Sequence, residues 1–264
     1  MPTPSILFIP GSFAPAEFYD NIVNAVTAKG HEMKALHYPS IGLKTGPQRE
    51  GPPTMYDDAA FIANEISRLS DDGKEVMLVA HSYGGIPATE SLRGLTKDER
   101  QKQGKPGGVV RVAYMTVLLP AVGSSAADML GNTPDENRVK FEFDEKGWMH
   151  FADIPAAAKI IISDLADKEE REAITRRLTS HSAVSFSNEL THAGYRDVPV
   201  SYLFCEADKC IPPQIQREGI EMIERDGGKK VDVTSINAGH IPNVTVPQEV
   251  TDWILREVEK HATL

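Results

Sequence analysis

The sequence is poor in cysteine and has neither a long apolar run nor an excess of positive charge. Only Cys205 and Cys210 are cysteines among its 264 residues, too few for the disulfide framework of a small secreted protein. No Cys/His cluster with zinc spacing accompanies them, so we predict no metal site. The first residues lack the basic and apolar regions of a secretory signal, and we expect a cytoplasmic protein.

Acidic residues outnumber basic ones, with 38 Asp and Glu against 28 Lys and Arg and a formal net charge of -10. A negative surface repels phosphate backbones and anionic membranes. No stretch approaches the ~18 consecutive apolar residues that span a bilayer. We therefore predict neither a nucleic-acid-binding nor a membrane protein. The length and the 41% hydrophobic content fit a single domain, residues 1–264, that buries a large core.

Short apolar runs alternate with amphipathic stretches along most of the chain. The runs at 5–9, 31–38, 75–80, 109–119, 198–205 and 230–236 predict strands. Helical spacing of apolar residues predicts helices at 18–26, 55–69, 84–95, 214–225 and 250–258, whereas 39–53 and 97–108 read as loops. Such an alternation predicts an α/β fold, a mostly parallel sheet of about six strands flanked by helices.

The alternation stops between the fourth and fifth predicted strands. Residues 123–197 contain two helical patterns, 155–164 and 167–178, without a comparable apolar strand. We predict that 123–197 is an inserted helical cap over the carboxyl edge of the sheet.

A strand-to-helix turn carries the sharpest chemical signal, the sequence Ala-His-Ser-Tyr-Gly-Gly at 80–85. It matches the nucleophile elbow of serine hydrolases, with Ala80 in place of the first glycine. Small residues are needed two positions before and after the nucleophile because the turn is tight. Ser82 is therefore the candidate nucleophile, and the Tyr83 backbone N–H a candidate oxyanion donor. The alternative is a plain strand-to-helix turn.

Two later strands end in the other groups that a serine nucleophile requires, a base and an acid that orients it. The fifth predicted strand is followed by Glu206 and Asp208, and the sixth by His240. Parallel strands gather such residues at their carboxyl ends. We favour Asp208 over Glu206 as the acid because it lies farther along the loop and can turn toward His240. A surface-loop histidine is the alternative for His240.

The loop after the first strand is expected to supply the second oxyanion donor. Its sequence is Pro-Gly-Ser-Phe at 10–13, and the Ser12 backbone N–H is the candidate. A plain strand-ending turn would need the same proline and glycine. The residues that follow Ser12 and His240, Phe13 and Ile241, are predicted to contact the substrate.

With these motifs the chain resembles the α/β-hydrolase superfamily over its whole length. Residues 79–85, 112–120 and 202–212 are similar to the plant methylesterase and hydroxynitrile lyase group. The resemblance implies the α/β-hydrolase fold and a triad of Ser82, Asp208 and His240. Two departures stand out, since Pro10 replaces the usual histidine before Gly11 and the cap sequence matches poorly.

The expected activity is cofactor-free hydrolysis of an ester or lactone of a small, largely apolar molecule. Epoxide hydrolases and dehalogenases that resemble this fold carry an aspartate where Ser82 stands, so these two activities are disfavoured. A lyase of the hydroxynitrile type and a non-catalytic small-molecule receptor are the alternatives. In the hydroxynitrile lyases that the chain resembles, a lysine follows the catalytic histidine, whereas Ile241 follows it here.

Overall fold

The apolar runs of the sequence form the strands of one parallel sheet. The protein is represented by a computed structural model that describes residues 3–43, 51–131 and 137–262. Its strands are β1 (Ser5–Ile9), β2 (Met33–Ala35), β3 (Glu75–His81), β4 (Gly108–Met115), β5 (Phe141–Phe143), β6 (Trp148–Phe151), β7 (His181–Ser182), β8 (Val200–Cys205) and β9 (Asp232–Ile236).

Helices occupy most of the connections between these strands. They are α1 (Asp20–Ala28), α2 (Met55–Asp71), α3 (Gly85–Glu90), α4 (Lys97–Lys102), α5 (Ala126–Gly131), α6 (Ile154–Ile161), α7 (Lys168–Thr175), α8 (Pro213–Gly227), α9 (Pro242–Thr245) and α10 (Pro247–Ala262).

The main sheet has the strand order β2-β1-β3-β4-β8-β9, and every pair in it is parallel. Alternate residues of β1 enter different cores, Leu7 and Ile9 on one face and Ile6 and Phe8 on the other. Helix α2 covers the first face, and α1 and α10 cover the second. The predicted six-stranded parallel sheet flanked by helices is therefore confirmed.

Several boundaries differ from those expected from the sequence. Residues 97–102 form α4 rather than a loop, because Thr96 and Glu99 make a reciprocal capping box that starts a helix. Strand β2 keeps only three of the eight residues predicted for it. Residues 44–50 of the predicted loop 39–53 lie outside the described part of the chain.

The segment between β4 and β8 contains strands as well as helices. The two predicted helical patterns correspond to α6 and α7. Strands β5, β6 and β7 form an antiparallel sheet of their own, so the segment predicted as a helical cap contains strands that the sequence did not predict. Strands of two to four residues are too short to show a period-two pattern.

Candidate active site

Ser82 stands on a strained turn between β3 and a short 3-10 helix, Ser82–Gly84. Its φ angle is +53°, in the left-handed region that serine rarely adopts. The turn lies so close to β1 that a Cβ atom at Gly84 would be 2.3 Å from the Pro10 carbonyl oxygen. A glycine is required there, and the strained turn has the form of a nucleophile elbow.

The structure brings Ser82, His240 and Asp208 together in one hydrogen-bonded chain. His240 Nε2 lies 2.9 Å from Ser82 Oγ, and His240 Nδ1 lies 2.8 Å from Asp208 Oδ2. All three side chains are buried. When Nδ1 donates to the carboxylate, the Nε2 lone pair is left to accept the Ser82 hydroxyl proton. This is the geometry of a serine nucleophile with its base and orienting acid.

The loop after β8 turns Asp208 inward and leaves Glu206 outside. Asp208 Oδ1 accepts the backbone N–H groups of Cys210 at 2.7 Å and Ile211 at 2.9 Å. Glu206 is solvent-exposed. The structure therefore pairs His240 with Asp208, the acid favoured from the sequence.

The electrostatic environment of His240 favours its charged form. Burial alone would lower its pKa, but the Asp208 carboxylate and, after it, the Cys210 side chain more than offset this and raise the His240 pKa well above its usual value. A proton taken from Ser82 would therefore be held firmly on the imidazole.

The loop at 10–13 packs against the elbow, as an oxyanion-binding loop would. A Cβ atom at Gly11 would lie 3.2 Å from Ser82 Cβ. Within the described part of the chain, the Ser12 N–H makes no hydrogen bond. Tyr83 is the second residue of the 3-10 helix, within the first turn, where N–H groups have no helical acceptor. Both N–H groups belong to residues that line the cavity in front of Ser82.

His81 links this loop to the backbone of His240. Its Nε2–H donates to the His240 carbonyl oxygen at 2.7 Å, while its Nδ1 accepts the Tyr19 hydroxyl at 2.7 Å. The same Tyr19 oxygen accepts the Gly11 N–H at 3.0 Å. Burial lowers the pKa of His81 well below its usual value. His81 is thus a neutral connector rather than a second base.

A cavity of about 620 Å³ opens above Ser82, a size typical of small-molecule sites. Phe13 and Ile241, the two predicted substrate contacts, line it. Most of its other lining residues are apolar, among them Phe18, Leu118, Leu130, Phe141, Met149, Phe151, Ile161, Leu178, Phe186 and Ile211. Such a lining suits a largely apolar ligand.

Metal-binding clusters and membrane-spanning helices are both absent from the described residues. Residues 3–43, 51–131 and 137–262 hold no group of three His, Cys, Asp or Glu side chains placed to bind a metal ion. None of the helices described there is both long enough and apolar enough to cross a membrane.

Sequence comparisons point to one family. A family model described as "Alpha/beta hydrolase family" matches residues 6–253. A probable hydrolase of Phoma sp. is 35% identical over 258 residues, which cover 96% of this chain and 98% of the relative. Methylesterase 1 of Arabidopsis thaliana is 23% identical, with 96% of this chain and 95% of the relative covered. The plant methylesterases indicated by the sequence motifs are thus among its relatives.

Solved structures share the fold at lower sequence identity. An extracellular alpha/beta-hydrolase from a Paenibacillus species superimposes with a TM-score of 0.72 at 17% identity, covering 96% of this chain and 98% of that one. Polyneuridine aldehyde esterase also gives 0.72, at 16% identity and 97% and 99% coverage. At these identities the likeness concerns the architecture alone.

Proposed function

Because the chain belongs to the alpha/beta hydrolase family, we propose that it is a serine hydrolase acting on an ester or lactone of a small, largely apolar molecule. The observation that carries the proposal is the chain of hydrogen bonds from Ser82 through His240 to Asp208 at the base of an apolar cavity. The family match confirms the prediction that the protein is a hydrolase. The ester or lactone substrate and the catalytic residues are our proposal.

The first half of the reaction forms an acyl-enzyme. His240 Nε2 takes the Ser82 hydroxyl proton as Oγ attacks the carbonyl carbon of the substrate. The carbonyl oxygen becomes an oxyanion, which accepts hydrogen bonds from the Ser12 and Tyr83 N–H groups. When the C–O bond breaks, His240 returns the proton to the leaving alkoxide, and the acyl group stays on Ser82. In a lactone both products remain parts of one molecule.

The second half repeats these steps with water as the nucleophile. His240 takes a proton from water, and the resulting hydroxide attacks the acyl carbon. Collapse of the oxyanion breaks the bond to Ser82, and His240 gives the proton back to Ser82 Oγ. A carboxylic acid is released. Asp208 holds Nδ1–H throughout, so that Nε2 faces the reacting atoms.

Residues 123–197 are proposed to be the cap that determines the substrate. They supply several apolar side chains of the cavity lining, including Phe141, Met149 and Phe151. Burial of an apolar acyl or alcohol group against these side chains would contribute binding energy in proportion to the area removed from water.

The two alternative functions have weaker support. A lyase that releases cyanide needs a cation beside the leaving anion, but the residue after His240 is the buried, apolar Ile241. A receptor needs no aligned base, whereas the buried side chains of Ser82, His240 and Asp208 are all aligned for proton transfer.

We also propose a cytoplasmic setting, because Cys205 and Cys210 are both free thiols and oxidising compartments favour disulfides.

The test is a panel of esters and lactones assayed with the wild type, Ser82→Ala and Ser70→Ala. Ser70 is a matched control, since it is also a buried serine but lies beside Gly107 at the opposite edge of the sheet. We expect hydrolysis of apolar esters by the wild type and by Ser70→Ala, and loss of it in Ser82→Ala. An organophosphonate probe should add one adduct, at Ser82. Turnover that survives Ser82→Ala, or labelling elsewhere, would refute the assignment.

A further inference from the structure

Phe13, the residue after the proposed oxyanion donor Ser12, has an unusual backbone. Its φ angle is +64°, in a region that a phenylalanine rarely adopts without external support. The support comes from the segment before and within β7. Phe13 C=O accepts the Thr179 N–H at 2.7 Å, and Phe13 N–H donates to His181 Nδ1 at 3.3 Å. Both polar backbone groups of the strained residue are therefore held by residues 179–181.

His181 is suited to accept this hydrogen bond. Its side chain has no solvent exposure, and burial lowers its pKa to about 3, so the imidazole is neutral near pH 7. With Nδ1 accepting from Phe13, the proton resides on Nε2, which lies 3.2 Å from both Ser185 Oγ and Ser40 Oγ. Ser185 donates its own proton to the Ser182 carbonyl, which leaves its oxygen as an acceptor for Nε2–H.

The same hydrogen-bond network reaches the other proposed donor. Ser40 N–H donates to Asp58 Oδ1 at 2.8 Å, and the Tyr83 hydroxyl donates to Asp58 Oδ2 at 3.0 Å. Tyr83 is the residue whose backbone N–H faces the oxyanion. One buried network thus ends at Phe13 on one side and at Tyr83 on the other.

An oxyanion hole works because its donors are oriented before the charge develops. The peptide plane between Ser12 and Phe13 is fixed by the hydrogen bond from Phe13 N–H to His181. The Phe13 N–H is thereby occupied by His181, which leaves the Ser12 N–H, in the adjoining peptide plane, as the donor that this loop can present to the cavity.

We propose that His181 is a positioning residue for the oxyanion hole, which acts by holding the strained Phe13 backbone so that the Ser12 N–H is aimed at the reacting carbonyl. This inference rests on the proposed esterase function. His181 does not line the cavity in front of Ser82, and it acts on the Ser12 N–H through its hydrogen bond to Phe13.

The test compares three substitutions of His181. His181→Asn keeps an acceptor near the position of Nδ1, His181→Gln places its amide near Nε2, and His181→Phe keeps a ring but removes both nitrogens. For an ester that the wild type hydrolyses, kcat and KM are measured together with inhibition by a trifluoromethyl ketone of the same acyl group. That ketone forms a hemiketal oxyanion on Ser82 and therefore reports on the hole.

We expect His181→Phe to lower kcat by about tenfold to a hundredfold, less than the roughly 10²–10³ lost when an oxyanion donor is removed outright. KM should stay within about twofold, and the trifluoromethyl ketone should bind more weakly by the same factor as kcat falls. His181→Asn should recover most of both losses, and His181→Gln should not. The midpoint of the pH–rate profile should stay in place, because His240 and Asp208 are unaltered.

His261→Asn is the matched control. His261 is also a buried histidine, and its Nε2 pairs with Glu75 at 2.6 Å at the opposite end of β3 from Ser82. This change should lower Tm without altering kcat or the inhibition constant of the ketone.

A folded His181→Phe variant with unchanged kcat and ketone inhibition would overturn the proposal, as would equal losses in the Asn and Phe variants. If His181→Phe does not fold, the comparison of Asn with Gln decides in the same way. Should the wild type hydrolyse no ester, the proposed function fails instead. The rate of Ser82 phosphonylation, whose phosphoryl oxygen needs the same donors, then replaces kcat in the comparison.

Discussion

Thr116 donates its hydroxyl proton to Asp208 Oδ2 at 2.5 Å, the carboxylate oxygen that also faces His240 Nδ1. Thr116 follows β4 directly and has a φ angle of +39°, so its backbone is strained at the point where its side chain meets the acid. With the two backbone N–H groups on Oδ1, Asp208 accepts four hydrogen bonds. All four partners are donors, so both side-chain oxygens of Asp208 must accept hydrogen bonds. Only an ionised carboxylate offers two such acceptors.

Asp208→Asn should therefore be far more damaging than its small change in volume suggests. An amide would point N–H donors at groups that are themselves donors, and it could not hold His240 in the productive tautomer. We expect kcat to fall by up to about 10⁴, as in the serine protease triads where this change has been made. Glu206→Gln is the control, because Glu206 is exposed on the same loop, and it should change kcat less than twofold. The opposite ranking would transfer the role to Glu206.

The rate of ester hydrolysis should rise with pH through a midpoint above 6.5. Attack on the substrate requires neutral His240, and the Asp208 carboxylate raises the pKa of His240 above its usual value. The protonated, inactive form therefore persists to higher pH than it would for an isolated histidine. The measurement is kcat/KM from pH 5 to 9, with Glu206→Gln as a control of unchanged midpoint. A rate that stays constant across this range would argue against histidine-assisted attack.

The parts of the fold and site that the sequence predicted are those coded by contiguous residues. Strands β1 and β3 are buried on both faces, so their continuous apolar sequence was enough to predict that they lie inside the sheet. The elbow at 80–85 is a local motif, and the parallel sheet then brings the strand ends that carry Asp208 and His240 to the same edge. The order of the strands along the chain was therefore enough to predict that Ser82, Asp208 and His240 lie close together.

The contacts that the sequence did not predict join residues far apart in the chain. Phe13 and His181 are 168 positions apart, and nothing in the loop sequence at 10–13 indicates that Phe13 has a partner so far along the chain. Thr116 and Asp58 are polar residues whose burial depends on partners in other elements. His181 lies in a part of 123–197 for which the sequence predicts no helix or strand, and the sequence favoured a surface position for it, whereas its side chain is fully buried. Its partners are defined only by tertiary structure.

Gly84→Ala should disrupt the elbow. The new Cβ would lie 2.3 Å from the Pro10 carbonyl oxygen and 2.6 Å from that of Ile9, and backbone atoms cannot move aside cheaply. We expect a loss of about 1–3 kcal/mol in unfolding free energy, as for an overpacked core, and a large fall in kcat because Ser82 would shift.

Gly219→Ala is the matched control. Gly219 lies within α8 with no atom near the added methyl, so the change should stabilise the protein by up to about 1 kcal/mol. Equal behaviour of the two variants would contradict the close approach of the elbow to the end of β1.

Substitutions of Asp58 and His181 should change the pH dependence of stability in opposite directions. Burial raises the Asp58 pKa to about 7 and lowers the His181 pKa to about 3. From pH 7 to 5, folded Asp58 binds a proton that the unfolded carboxyl does not bind, so its contribution stabilises the fold on acidification. Folded His181 stays neutral while the unfolded imidazole is protonated below its pKa of about 6.5, so its contribution is lost over the same interval.

Each group should contribute about 2 kcal/mol between pH 7 and 5, at about 1.4 kcal/mol per pKa unit. Relative to the wild type, Asp58→Asn should therefore steepen the loss of stability on acidification, and His181→Asn should reduce it. The measurement is the free energy of urea-induced unfolding at pH 7 and pH 5 for the three proteins. If the unfolding free energies of all three proteins depended on pH in the same way, burial would not have shifted the pKa of either side chain.

Cyanohydrin cleavage should be absent, because the cation that would stabilise a leaving cyanide has been replaced. Ile241 follows His240, is buried, and lines the cavity. Arg138 also lines the cavity, but its side chain is exposed and donates to the Gly131 carbonyl. Cyanide leaving beside Ile241 would develop negative charge against an apolar side chain, and burial of an unpaired anion is strongly unfavourable.

Ester cleavage has no such requirement, since its negative charge develops on the carbonyl oxygen between the Ser12 and Tyr83 N–H groups. We therefore expect measurable hydrolysis of aryl or methyl esters that is lost in Ser82→Ala. Cyanide release from mandelonitrile or acetone cyanohydrin should not exceed the enzyme-free rate. Both activities are to be measured on one preparation, so that an inactive sample is recognised by its failure in both. Efficient cyanide release without ester turnover would replace the hydrolase assignment by a lyase while leaving the fold and the position of Ser82 unchanged.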